Sequence, residues 1–352
     1  MPEPNIQGTN GIFPLCLHWS IIGCMSSQDL HQGLVDLPGS PWPHRWAWVL
    51  ACGVFPLIWI GGLVTTYEAG MSVPDWPTTY HSLFYPLEKW LWNFNDLFLE
   101  HSHRTIAQID GIIAIILIVS IWRWEPRKSV RWLATVILIC LISQGVLGGL
   151  RVVLDQRVLA RIHGCAAPLV FALCTAMVSV TSPAWRGKAG RLENPASRGV
   201  QQIALAICGG LYAEIVLGAQ FRHPLPDVST VLSLVLVWIK VNIAAFIVMG
   251  IVYLLVVVLR HLPQAPLLVW RVKLLAALYF LQLTLAACTW VSNFGWPKWF
   301  TDNIMTMKYT VMENGRLQVW ATTAHAAVGS LCFVAALSVT MWSYRLLREP
   351  QQ

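Results

Sequence analysis

The sequence predicts an all-α integral membrane protein with eight transmembrane helices, arranged as two pseudo-symmetric four-helix bundles. Its 352 residues are 56% hydrophobic and only 12% charged, whereas about 25% charged is usual for a soluble domain. Eight apolar runs are long enough to cross a bilayer, and the two halves of the chain share sequence features. The composition excludes a soluble globular protein, and the net charge of +7 indicates membrane topology and not nucleic-acid binding.

Each apolar run reaches the roughly 20 residues that a helix needs to cross the hydrocarbon core. Their limits are 46–66, 103–122, 132–152, 160–182, 199–219, 230–259, 270–292 and 318–343. An earlier apolar piece, Ile12 to Cys24, is too short to span and is interrupted by His18. Residues 1–44 lack Lys and Arg, so they resemble neither a secretory signal nor a transit peptide. They form either a flexible tail or an over-extended gene start, with Met25 as the true beginning.

The charged residues orient the chain with both termini in the cytoplasm. With this orientation the cytoplasmic segments hold more Lys and Arg than the outer segments do, as the positive-inside rule requires. The predicted organisation is an N-terminal tail (1–45), an N-terminal four-helix half (46–182), a cytoplasmic linker (183–198), a C-terminal four-helix half (199–344) and a C-terminal tail (345–352). A bacterial inner membrane suits such a chain.

An internal repeat supports the two halves. Gln144 in the third run corresponds to Gln282 in the seventh, and His163 in the fourth corresponds to His325 in the eighth. Small residues end both the first run and the fifth, which allows close helix contact. The alternative is chance similarity among Gly- and Ala-rich helices. If the repeat is real, the position equivalent to His103 is Val241 or Asn242, so only the N-terminal half keeps both histidines.

The candidate chemistry lies at the outer ends of the second and fourth runs. Glu100 and His103 share a helix face, His101 faces away, and His163 begins the fourth run on the same side of the membrane. Facing helices of a bundle hold cofactors through inward side chains, and imidazole suits haem iron. A single histidine here is more often an ordinary interfacial residue. The pair therefore carries the prediction of a haem site.

Three further acids and one lysine need an explanation. Glu100 is either an acid favoured by the helix dipole or a proton-handling group beside the haem. Asp110 lies two turns deeper than His103 on the same face, as a functional carboxylate or a hydrogen-bonded packing residue. Glu214 and Lys240 are both embedded in the membrane, and a structural ion pair is the simpler expectation.

Three arginines lie at outer helix ends. The ordinary explanation is that their charged groups reach the membrane interface. The functional alternative is pairing with porphyrin propionates through charge-assisted hydrogen bonds. These residues are Arg104, Arg151 and Arg222.

The first outer loop contains a segment with helical spacing of its apolar residues. Between Pro86 and Leu99 apolar and polar side chains alternate at that spacing. The pattern predicts a helix lying on the outer membrane surface or packed on the bundle.

Several motifs together resemble the haem A synthase family. They are GGLVT at 61–65, SVPDWP at 72–77, EHSHR at 100–104, QGVLGGLR at 144–151, IHGC at 162–165 and TAH at 323–325. Their order and spacing cover nearly the whole chain from about residue 46. The first outer loop has no cysteine, so the chain resembles the members that lack the cysteine pair of that loop.

The resemblance implies an eight-helix enzyme that oxidises the C8 methyl of haem O to the formyl group of haem A. By position, His103 and His163 would ligate the iron of the substrate haem, and Glu100 would be the essential carboxylate. His325 matches one ligand of a haem b cofactor in the C-terminal half. The implied partners are haem O synthase, the assembly of a terminal oxidase, and an electron donor that the sequence does not identify.

The sequence departs from the family in the sixth run, where a partner histidine for His325 is expected. The chain offers Lys240, Val241 and Asn242 there. The alternatives are a five-coordinate haem on His325, Lys240 as an unusual ligand, or no cofactor haem. The first is slightly favoured.

Two other functions remain open. A haem-carrying electron-transfer protein would not need a carboxylate beside the iron, so Glu100 favours the enzyme. A transporter built from repeats is a weaker alternative, because no helix interrupted by Gly and Pro is evident at mid-membrane.

Overall fold

The computed structural model describes residues 40–82, 85–92, 94–187, 190–223, 229–303, 311 and 315–350. Within them are eight helices that are long and apolar enough to cross a membrane. They are α1 (Trp42–Thr66), α2 (Asp96–Trp124), α3 (Lys128–Leu154), α4 (Arg157–Thr181), α5 (Ser197–Arg222), α6 (Thr230–His261), α7 (Pro266–Phe294) and α8 (Arg316–Leu346). The predicted eight-helix membrane fold is confirmed.

The helices form two rings of four with the same order of contacts. In the first ring α1 packs on α2 and α4, and α3 also packs on α2 and α4. In the second ring α5 packs on α6 and α8, and α7 also packs on α6 and α8. The rings meet where α8 contacts α1 and α4 and where α4 contacts α5. The shared order agrees with an internal repeat, and the pseudo-symmetry itself stays a prediction.

Burial distinguishes the central helices from the peripheral ones. Over the most apolar 18 residues of each helix, 61% of α8 and 50% of α4 are buried, against 17% of α3 and 11% of α7. Large apolar side chains such as Ile139, Leu234 and Phe280 are exposed on the peripheral helices. Lipid would cover these faces, since the bilayer interior favours apolar surface.

The helix ends follow local sequence signals. Pro43 lies in the first turn of α1, where a missing N–H costs nothing. The Asn95 side chain accepts a hydrogen bond from Phe98 N and begins α2, and Ser229 does the same for Leu232 N at α6. At the other end of a helix, Gly295 has φ +77° and ends α7, a conformation that glycine adopts readily.

The predicted surface helix between Pro86 and Leu99 is wrong for the described residues. Only a single 3₁₀ turn forms, at Leu87–Lys89, and α2 already begins at Asp96, seven residues before the predicted run. Asn95 has the extended conformation of a helix cap, so the chain cannot continue as one helix through it. The aromatic residues of this segment pack instead on α2, with the ring of Trp90 4.6 Å from that of His101.

Two predicted non-membrane segments pair with each other. Leu192–Glu193, in the predicted linker, and Leu347–Arg348, in the predicted C-terminal tail, form a two-stranded parallel pair. The linker also contains a short helix, Pro183–Arg186, capped by Ser182. The domain boundaries stay predictions. The proposed flexible tail lies outside the described residues up to position 39, and its last residues, from Trp42, belong to α1.

A buried carboxylate connects several segments at the same end of the molecule. Glu125 follows α2 and pairs with Arg127 at 2.7 Å and with Arg186 at 3.1 Å. Arg127 also donates to Val180 O. Burial opposes the charge of Glu125, but the bonds from Arg127 outweigh it and lower the pKa of this carboxyl. The cluster fixes the α2–α3 turn to the end of α4.

Candidate functional site

His103 lies in the second turn of α2 and is seated against α1. Its ring faces the backbone of Leu57. A Cβ atom on Gly61 would lie 2.8 Å from His103 Cε1, closer than real contacts allow. Glycine at position 61 therefore makes the space for the ring, which gives the GGLVT motif a physical reason.

His163 lies in the second turn of α4 and is seated against α3 in a similar way. Its ring faces the backbone of Gln144, and a Cβ on Gly148 would lie 3.4 Å from His163 Cε1. The rings of His103 and His163 lie within electrostatic range of each other. The structure thus brings the two predicted ligands to one end of the N-terminal ring.

Glu100 is buried, and its carboxylate bonds both the loop between α1 and α2 and Arg104 of its own helix. It is 3% exposed. Its Oε2 accepts hydrogen bonds from Ser72 Oγ and Val73 N, both at 2.9 Å, and its Oε1 pairs with Arg104 at 2.5 Å. The carboxylate therefore joins the loop to α2. Glu100 and His103 both lie in α2, their shared face stays a prediction, and sequence reasoning missed these loop partners.

Arg104 holds the same loop by its backbone. Nη1 donates to the carbonyl oxygens of Asp75 and Thr78, and Nη2 donates to that of Val73 as well as to Glu100. Both terminal nitrogens are thus engaged with the protein itself. This geometry gives Arg104 a structural role and leaves little capacity for a propionate.

Asp75 organises the loop turn that Arg104 holds. Its carboxylate accepts hydrogen bonds from Thr78 Oγ1, Tyr80 N and His81 N. Burial opposes the ionised form, but these bonds outweigh it and lower the pKa of Asp75 to about 2. The neighbouring Trp76 packs on α3, where a Cβ on Gly149 would collide with its ring. The SVPDWP segment therefore covers the end of the N-terminal ring at which α2 begins.

Among the three predicted arginines, Arg151 is the one that acts electrostatically on both His103 and His163 in the described structure. It lies within electrostatic range of Glu100, His103 and His163, and Gly70 leaves room for its guanidinium. No hydrogen bond of this guanidinium is found within the part of the chain that the structure describes. Among the three predicted arginines, Arg151 has the geometry best suited to an added anionic group.

Arg222 joins the two rings. Its Nη2 donates to Gly62 O at 2.8 Å and to Thr66 Oγ1 at 2.6 Å, and Thr66 in turn bonds Thr323 Oγ1 on α8. The next residue, His223, has its pKa lowered to about 4 by burial and by Arg151 and other nearby cations. Gly62 and Thr323 lie in the sequence motifs and Thr66 directly follows one of them, but the motifs did not reveal that these residues form the interface.

Asp110 lies deeper in the N-terminal ring than His103. It is 1% exposed, and neither carboxyl oxygen makes a hydrogen bond to the described residues. A Cβ on Gly53 of α1 would collide with its Oδ1. The expectation of a hydrogen-bonded packing residue finds no support here.

In the C-terminal ring, His325 faces an ion pair and not a second histidine. Lys240 Nζ bonds Glu214 Oε2 at 2.6 Å, so the expected structural pair is confirmed. Lys240 lies within electrostatic range of His325. Asn242 is exposed and bonds Trp238 O, and Val241 is 55% exposed. Neither of the positions given by the sequence spacing faces His325 as a ligand would.

A family model described as COX15-CtaA, cytochrome oxidase assembly protein, matches residues 44–224, which is just over half of the chain. The chain belongs to this family. The matched residues cover α1 to α5 and so include the whole ring that holds His103 and His163. The confirmed membership agrees with the resemblance that the motifs carry.

Two curated relatives of the family are similar over the same extent. A heme A synthase of Halalkalibacterium halodurans is 27% identical over 177 residues, 49% of this chain and 56% of the relative. A heme A synthase of Alkalihalophilus pseudofirmus is 28% identical over 182 residues, 50% of this chain and 58% of the relative. The chain therefore matches little more than half of the length of these relatives.

The two rings differ in how well they suit a haem of this family. His103 and His163 offer two imidazoles within electrostatic range of each other, and Gly61 makes the space for the first. Each Nδ1 is buried without a hydrogen-bond partner among the described residues, as is Nδ1 of His325. The pair of His103 and His163 fits haem iron. In the second ring an ammonium group bound to a carboxylate stands opposite His325. That donor set does not fit a haem held by two ligands.

Proposed function

We propose that this chain is a haem A synthase that oxidises the C8 methyl of haem O to a formyl group. The observation that carries the proposal is the pairing of His103 with His163 at one end of a helix ring that belongs to the family. Haem O is the substrate, and the two histidines would ligate its iron from neighbouring helices. The haem supplies the redox chemistry, and the protein supplies position and exclusion of water.

The roles of the remaining site residues follow from their places. Glu100 is the proposed catalytic carboxylate at the outer end of α2, next to the iron ligand His103 in the same helical turn. Arg151 is the proposed propionate partner, because its guanidinium is uncommitted among the described residues. Arg222 can contribute only with the nitrogens that Gly62 and Thr66 do not engage. Arg104 is proposed as the residue that keeps the loop and Glu100 in place.

The proposed setting is the inner membrane of a bacterium, with both termini in the cytoplasm and the histidine pair near the outer face. Haem O synthase would supply the substrate, and the assembly of a terminal oxidase would take up the product. Conversion of the methyl group to a formyl group removes four electrons and adds one oxygen atom, so it requires either water as the oxygen source together with an electron acceptor, or dioxygen as both oxidant and oxygen source. A haem b on His325 is not included, because the donors opposite that residue do not fit it.

One observation favours a second candidate function, a haem-binding electron-transfer protein. Among the described residues, the hydrogen bonds of Glu100 are with the loop and with Arg104, so its presence is explained without chemistry on a haem. This weakens the sequence argument that a carboxylate beside the iron indicates an enzyme.

Production of the chain together with a source of haem O tests the two candidates. Haems extracted from the membranes are separated by chromatography, and the enzyme is expected to yield a formylated haem. His103→Ala should abolish that product, while His101→Ala, which changes a histidine turned towards Thr79 and Trp90, should retain it. Bound haem without any formylated product would support the electron carrier and contradict the enzyme.

A further inference from the structure

The C-terminal ring contains a counterpart of the His103 seat. In the first helix ring, the imidazole of His103 faces the backbone of Leu57. Gly61, four residues after Leu57, makes room for the imidazole. In the second ring Lys240 Nζ donates to the backbone oxygen of Glu214 at 3.2 Å. A Cβ on Gly218, also four residues later, would lie 3.9 Å from that nitrogen, which is an ordinary contact, so Gly218 lies beside the ammonium group but is not required to make room for it.

The opposite side of each ring also matches. His163 on α4 faces the backbone of Gln144 on α3. His325 on α8 faces the backbone of Gln282 on α7. The sequence repeat relates these two glutamines to each other and these two histidines to each other. The contacts therefore match α3 with α7 and α4 with α8, as the repeat does.

From these contacts we infer that Lys240 occupies the place of His103 in the C-terminal half, and that its ion pair with Glu214 keeps haem out of that half. The place of Leu57 is then taken by Glu214. The spacing between Gln144 and Gln282 would instead match His103 with Val241, one residue after Lys240. This protein binds haem in one ring only.

The ion pair prevents ligation for a simple chemical reason. A lysine ammonium has three donors and no acceptor, so it offers no electron pair to iron. Both partners are partly shielded, with side-chain exposures of 24% for Lys240 and 19% for Glu214. Removing one charge from such a pair leaves the other without compensation in an apolar setting. A haem that entered this ring would have His325 alone as an axial ligand.

The inference is tested by rebuilding the first ring's seat in the second. The variant Lys240→His/Glu214→Leu copies the residues His103 and Leu57. The purified protein is incubated with haemin, and haem per chain is measured from the pyridine haemochrome spectrum. The double variant is expected to bind one haem more per chain than the wild type. Adding His325→Ala to the double variant should remove the gain.

Asn242→His is the matched control. It places a histidine at an exposed position given by the glutamine spacing, and it should bind no additional haem. In the wild-type chain His325→Ala should leave haem content unchanged. A loss of haem in that variant, or a folded double variant without any gain, would overturn the inference.

The inference uses the proposed function only for the statement that the first ring binds haem. His103→Ala tests that statement by itself. A wild type without haem in the first ring would contradict the proposed function, whereas the gain in the double variant would still support the assignment of Lys240.

Discussion

At the scale of single residues, the N-terminal end of α2 combines two tasks within five positions. His103 faces the inside of the ring, while Glu100 and Arg104 face the loop and hold it by side-chain and backbone hydrogen bonds. The i, i+3 spacing predicted a shared face for Glu100 and His103, whereas the hydrogen bonds of Glu100 among the described residues go to the loop and to Arg104. The loop partners of Glu100 lie near residue 73, and no local pattern reveals contacts made by a chain that folds back over such a distance.

Glu100→Gln tests the carboxylate. A carboxamide keeps one acceptor but turns an N–H₂ group towards donors, so we expect a loss of about 1–3 kcal/mol in stability. Haem binding should persist, and formation of formylated haem should stop. Thermal denaturation in detergent and haem chromatography measure the two effects.

Ser72→Ala is the control for that experiment. It removes one donor to Glu100 and leaves the carboxylate itself intact, so product formation should continue. Continued turnover in Glu100→Gln would refute the catalytic assignment.

The lowered pKa of Asp75 predicts that acid loosens the loop between α1 and α2. Its pKa is lowered from 3.8 to about 2, so the folded loop favours the ionised form. The stabilisation is complete above the unfolded value and is lost as the pH falls from about 4 towards 2. In acid the wild type loses the charge of Asp75 and its loop becomes looser. Asp75→Asn should have the same looser loop already at neutral pH.

Hydrogen exchange of the amides of Tyr80 and His81, corrected for intrinsic rates, measures this effect. Both amides donate to Asp75, so their protection should fall in Asp75→Asn. Unchanged protection in the variant would show that the carboxylate does not hold the turn.

At the scale of helices, glycines decide how closely the histidines approach their neighbours. Sequence reasoning recognised that Gly61 would allow close contact, but not that the contact is with His103. It could not do so because the relative rotation of two helices is set by packing over their whole length. The start of α2 was likewise missed, since a cap such as Asn95 acts before the apolar run begins.

Gly61→Ala should displace the ring of His103. The added Cβ would lie 2.8 Å from Cε1, and overpacking of this kind typically costs about 1–3 kcal/mol. We expect haemin affinity to fall by roughly 5- to 150-fold, as measured by titration of the visible spectrum.

Gly145→Ala is a matched control in α3, because nothing lies within 4 Å of its added Cβ. Its affinity should remain that of the wild type. Equal affinities for both variants would contradict the seating of His103 against Gly61.

At the scale of the whole molecule, the eight spans were predictable because each is a long apolar run. The order in which helices contact one another is the same in both rings and agrees with the repeat. For the counterpart of His103, however, the sequence spacing gave Val241, whereas the contacts give Lys240. A shift of one residue in a helix turns a side chain by about 100°, so spacing alone could not select the residue that faces His325.

The orientation of the molecule is tested with reporter fusions. Alkaline phosphatase inserted after Asp155, between α3 and α4, should be active outside the cytoplasm, and a fluorescent protein at the C-terminus should be fluorescent inside. The opposite pattern would place the histidine pair at the cytoplasmic face.

The central claim is that His103 and His163 hold one iron between them. The most direct measurement is the electron paramagnetic resonance spectrum of the purified chain with bound haemin. We predict a low-spin signal for the wild type. Either His103→Ala or His163→Ala alone should replace it with a high-spin signal or remove the haem. A low-spin signal that survives unchanged in either variant would contradict the account.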